Sequence, residues 1–178
     1  MKLSKFLALI TIIGSTLLFG TEYKVDKENS MVTFKIRHAI IAKVEGKFND
    51  FSGTYEYDTN SSVFTSFEGE AQVVTVDTDD KYRDDHLKFK VFDVEKYPIM
   101  NLKLTKQDGN SFIADLTIKD VTKSVDFTIS LVADSVNKFI LSAEISREDF
   151  GLKFSDTAEV GGLAVGDKIE INILFAGL

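Results

Sequence analysis

The chain has 178 residues, no cysteine, one proline, and 28 acidic against 21 basic side chains, a formal net charge of −7. Without cysteine there are no disulfides, no thiol catalysis and no thiolate metal site. An acidic chain without a basic stripe argues against nucleic acid as a partner and against electrostatic docking on anionic headgroups.

Lys2 and Lys5 precede an apolar run, Phe6 to Phe19, broken only by small or hydroxyl residues. A positive segment followed by an apolar one too short for a stop-transfer helix is the pattern of a secretory signal. Residues 1–20 are therefore expected to be removed near Gly20 on export to a periplasm-like compartment. Residues 21–178 then form one domain, long enough for a core of its own. Loss of Lys2 and Lys5 leaves it 19 basic against 28 acidic residues, a net of −9.

Beyond Gly20 the apolar residues recur with period two. Val32, Phe34, Ile36 and His38 alternate with Thr33, Lys35 and Arg37. Further strands are expected over 43–48, 53–58 and 63–76, the last changing phase near Val73-Val74 as at a bulge and sharp bend. A short segment, 79–92, breaks the pattern and reads as one or two helical turns anchored inward by Tyr82 and Leu87. Pro98 opens a strand over 99–106, and Asp108-Gly109-Asn110 turns it into a strand over 111–118. Phe112, Ala114, Leu116 and Ile118 make the inner face there; Val125, Phe127, Ile129 and Leu131 make the next. After a turn at Val136-Asn137, strands over 139–147 and Ile169 to Phe175 close the chain. One apolar and one wet face per segment is the signature of antiparallel strands. About eight such strands build a sandwich, or a barrel wide enough for side chains or one slim ligand, and the pattern leaves both open.

Catalytic motifs are missing: there is no G-x-S-x-G elbow, no H-E-x-x-H, and no glycine-rich phosphate loop opening a helix. Gly161 to Gly166 leads into a strand and reads as a loop. Asp84-Asp85-His86 has the residue types of a metal site, but adjacent carboxylates in a polar turn more often pair locally with a neighbour such as Arg83. His38 closes an apolar face, so its imidazole is either a satisfied core group or a polar contact at one end of a cavity. No catalytic residue and no metal ligand is assigned.

Several blocks in order carry a resemblance. Tyr23-x-Val25-Asp26 and Ser30-x-Val32-x-Phe34-x-Ile36-x-His38 come first, then Gly46-x-Phe48 and Phe51-x-Gly53-x-Tyr55. Val76-Asp77-Thr78, Arg83-Asp84-x-His86-Leu87 and Phe92-Asp93-x-x-Lys96-Tyr97-Pro98 follow. Asp115-Leu116-Thr117-Ile118, Arg147-x-Asp149-Phe150-Gly151-Leu152 and Val165-Gly166-Asp167-x-Ile169-x-Ile171 complete the series. The chain resembles the YceI-like family of exported bacterial proteins across its mature length.

That resemblance implies an all-β, lipocalin-like, extended eight-stranded antiparallel barrel with a short helical segment, often paired as a homodimer. It also implies a pore for polyisoprenoid or fatty-acid-derived amphiphiles and no catalytic residues. Alternation combined with that fold places Phe34, Ile36, Phe48, Leu87, Phe92, Leu116, Phe127 and Ile129 along the pore, with His38 and His86 as polar contacts and 79–92 as a lid. The expected function is periplasmic lipid binding or transport, the only bound group being the lipid. Transient contact with a membrane or a donor or acceptor protein follows from it. The alternatives are an envelope stress or structural partner with a side-chain-filled barrel, and an enzyme of isoprenoid lipid metabolism.

Overall fold

The computed structural model describes residues 21–38, 42–135, 137–154 and 165–178. Residues 1–20, expected to be an export signal, the turn residue Val136 and the glycine-rich residues Gly161 to Ala164 lie outside them.

Alternating β-branched and aromatic residues form β1 (Thr21–Lys24), β2 (Met31–His38), β3 (Ala42–Phe48), β4 (Phe51–Asp58), β5 (Val63–Gln72) and β6 (Val76–Asp77). The helix α1 (Lys81–His86) intervenes before β7 (Ile99–Asp108), β8 (Ser111–Ile118), β9 (Val121–Leu131), β10 (Lys138–Ser146) and β11 (Val165–Ala176). Among the described residues these eleven strands make one antiparallel sheet, ordered β1-β4-β5-β7-β8-β9-β10-β11-β2-β3-β6. The sheet curls about its apolar face into a half-barrel, and a bridge between Val25 and Gly177 draws its first edge towards the end of β11.

The expected count of eight strands is corrected to eleven. The apolar pattern itself marks nine segments; β1 is too short for alternation to reveal, and the run over 63–76 is two strands. A 3-10 turn, Val73–Thr75, separates them. It moves the chain from β4 and β7, the partners of β5, to β3, the partner of β6. The turn is held by Val73 N–H donating to the Pro98 carbonyl at 2.9 Å and Gln72 N–H to that of Asp50 at 2.8 Å. Pro98 thus stands just outside β7, where its missing N–H breaks no ladder bond.

Two-residue hairpins fix the register of β7, β8 and β9. Asp108 pairs with Ser111 around Gly109, whose φ is +56°, and Ile118 pairs with Val121 around Lys119, whose φ is +59°. In this register Phe112, Ala114, Leu116 and Ile118 are buried, as their alternation requires. Leu131, read as inward, is half exposed. The β8 ladder ends at Ser111–Thr128, so Leu131 pairs with β10 alone.

Eight rings form one connected cluster inside the curl: Tyr23, Tyr55, Tyr57, Phe64, Phe67, Phe112, Phe139 and Phe175. Most neighbouring rings are T-shaped or tilted, the arrangement that ring quadrupoles favour. A separate trio, Phe34, Phe48 and Phe92, lies beneath the helical segment, with centroids 5.6 and 6.3 Å apart.

Candidate functional site

Between the eight-ring cluster and the helical segment lies a cavity of about 370 Å³ with an almost wholly apolar wall. That volume falls within the range of small-molecule sites, which are concave and apolar with a few placed polar groups.

The helical segment is the cap of this cavity. Asp80 opens α1 by accepting from Arg83 N–H at 3.0 Å. Leu87–Val91 then continue as a π-helical turn, with Phe92 N–H donating to the Leu87 carbonyl at 2.9 Å. The wider turn brings Leu87, Val91 and Phe92 all inward, and all three are buried. Tyr82, expected as a second inward anchor, is 86% exposed. At about 100° per residue, positions five apart diverge by about 140°, so Tyr82 and Leu87 cannot both face the core. Tyr82 still borders the cavity, which places its mouth on that side of α1.

A compact polar knot holds the cap down. Thr78 N–H and the Thr78 hydroxyl both donate to Asp84 Oδ1, at 2.9 and 2.6 Å. Arg83 Nε donates to Thr78 Oγ1 at 2.8 Å, and Arg83 Nη2 to the Thr78 carbonyl at 2.6 Å. Thr78 and Asp84 are both buried. Asp85 pairs with Lys81 at 2.8 Å, and that hydrogen bond holds its carboxyl below the usual value. The two carboxylates that precede His86 are thus engaged in structural contacts. His86 itself lines the cavity, and its Nε2 is buried with no hydrogen-bond partner among the described residues.

Seven sequence-predicted residues meet at the cavity wall: Phe34, Ile36, Phe48, His86, Leu87, Phe92 and Leu116. Phe127 and Ile129 do not. They are buried in the core but lie off the cavity wall. His38 ends β2, its backbone paired with Ala42 and Val165, and its side chain lies outside the described residues.

A YceI-like domain matches residues 23–176, from β1 to the last residue of β11. The chain belongs to the YceI-like family. A UPF0312 protein of Staphylococcus epidermidis is 29% identical over 161 residues, covering 84% of this chain and 93% of that one. The YceI protein of Campylobacter jejuni is 29% identical, with a TM-score of 0.64 over 81% of this chain and 90% of that one. BcnA of Burkholderia cenocepacia shares the fold at 22% identity and a TM-score of 0.75, covering 86% and 99% of the two chains. So does a polyisoprenoid-binding domain from Saccharophagus degradans, at 13% identity and 0.68 over 88% and 98%.

The YceI-like cavity also uses residues that sequence reasoning missed, among them Phe67, Met100, Leu102, Ile145, Leu152 and Phe154. Ile169, Ile171 and Phe175, which share one face of the last strand, line the wall as well. Alternation assigns a residue to the inner face but not to a height along the curl. Only the stagger between strands separates wall from plug.

Proposed function

We propose that this protein carries an amphiphile with a prenyl or acyl chain, the chain lying in the cavity and the head meeting His86 beneath the cap. The observation that carries the reading is the cavity of about 370 Å³, mostly apolar in its wall and lined by His86, whose Nε2 is buried without a hydrogen-bond partner among the described residues. A buried nitrogen without a partner costs about 1–3 kcal/mol, which a head that donates or accepts there recovers.

Apolar burial supplies the gross affinity, about 0.8 kcal/mol for each CH₂ taken from water. A bilayer offers the same gain. Discrimination against the membrane therefore rests on cavity shape and on a few polar groups at its wall, His86 and Arg83 among them. The fold shared with a polyisoprenoid-binding domain of Saccharophagus degradans and the mostly apolar wall support a lipid cargo. In this reading residues 1–20 direct export, and the protein moves lipid between a membrane or donor and an acceptor in the periplasm.

Native mass spectrometry of the exported protein, followed by solvent extraction, tests the proposal. A stoichiometric added mass resolving into one lipid class is expected, and the same spectrum distinguishes monomer from homodimer. A bare polypeptide mass, with no uptake of supplied prenyl or acyl amphiphiles, would overturn it.

A further inference from the structure

The two ends of the cavity are built differently. At the cap end, Tyr82 is exposed and Phe34 only half-buried. At the other end, Phe67 and Phe175 line the cavity and belong to the eight-ring cluster as well. Their centroids are 5.1 Å apart at 66°, so the edge of one ring meets the face of the other. Behind them, Phe67 stacks on Tyr55 at 6.3 Å and meets Phe112 at 5.6 Å. Phe175 meets Tyr55, Phe64 and Phe139 at 5.3, 5.7 and 5.5 Å. Those backing rings come from β4, β5, β8 and β10, and each is at most 3% exposed. Gly69 tightens the seat: a Cβ there would lie 3.1 Å from Phe67 Cε1.

Rings held from several strands at interior packing density have no space to swing into, so this end does not yield to an incoming chain. We infer that the Phe67–Phe175 pair is a fixed floor that sets the longest chain the cavity accepts, making the cargo a single-chain amphiphile of bounded length bound tail-first. This inference rests on the proposed lipid-carrier function and refines it. A chain that reaches the floor while its head meets His86 satisfies both ends. A longer one must give up the polar contact or fold back within the cavity.

The physical signature is a break in the dependence of affinity on length. Each CH₂ that fits adds about fourfold to affinity. Past the floor the gain stops. Delipidated mature protein, offered an equimolar series of saturated fatty acids from octanoic to tetracosanoic, is read by native mass spectrometry. The bound fraction is expected to rise steeply and break at one length. Phe67→Leu and Phe175→Leu are expected to move the break to longer chains. In the unaltered protein, the ¹³C-labelled terminal methyl of the fatty acid at the break is expected to show an upfield ring-current shift and cross-relaxation to phenylalanine ring protons.

A smooth rise with no break, or a terminal methyl without a ring-current shift, would overturn the floor. So would a break left in place by both variants. Absence of binding by any fatty acid, and by farnesol and geranylgeraniol in the same assay, would instead overturn the carrier reading. The methyl measurement needs no variant, so a variant that misfolds does not remove the test.

Discussion

Phe34 and Gly46 face each other across the β2–β3 ladder, and the Phe34 ring lies over the glycine where a side chain would stand. A Cβ at Gly46 would be 2.6 Å from Phe34 Cε1 and 2.8 Å from Thr78 Cγ2. One absent side chain therefore seats a cavity-wall ring and the first residue of the polar knot together. Gly46→Ala is expected to push the ring into the cavity or the cap outward, costing about 1–3 kcal/mol as overpacking does. Thermal melting and lipid loading should fall together; an unchanged melt would show that the ring and Thr78 move aside freely.

Removing the Asp84 carboxylate should loosen the cap without loosening the sheet. Asp84→Ala leaves a buried Thr78 N–H and hydroxyl without their acceptor, at about 1–3 kcal/mol. Hydrogen exchange should rise over 78–92 while β8 and β9 stay protected, and bound lipid should exchange faster. Uniform loss of protection would place Asp84 in the global fold instead.

Tyr55 gives a dependence on alkaline pH. Burial, with a smaller contribution from Tyr23, pushes its hydroxyl from 10.0 up to about 12. Its folded-state value is raised, so its stabilisation is complete below pH 10 and lost as pH rises towards 12. Tyr55→Phe deletes a buried hydroxyl that has no partner among the described residues. Near neutral pH it should equal or exceed the parent in stability by up to about 1 kcal/mol. In denaturant titrations below pH 10 and near pH 12, its lead should widen at the higher pH. A constant lead would show that Tyr55 does not titrate differently in the two states.

His86→Leu separates head from chain. The substitution removes Nε2 and the about 1–3 kcal/mol recovered by pairing it, so affinity for a fatty acid or prenol should drop roughly five- to a hundredfold. Affinity for the matching hydrocarbon should hold or rise. Equal losses for both ligands would reduce His86 to a packing residue.

The period-two pattern and turn chemistry determined much of this molecule. The inner face of β8 and the bend at Val73 follow from side-chain alternation and its interruption, which are local properties. The family blocks identified the fold class as well, because Arg83, Asp84 and His86 occur in a run short enough to recognise.

Tertiary structure decided the rest. Phe127 and Phe67 look alike in sequence, each on an apolar strand face, yet Phe67 forms the cavity end and Phe127 is buried off its wall. Their heights depend on the stagger of strands distant in sequence. Tyr82 faces outward because the buried side of the cap is chosen by Thr78, which the pairing of β6 with β3 holds against Asp84. The pairing of non-adjacent strands sets both outcomes, and period-two alternation carries no information about it.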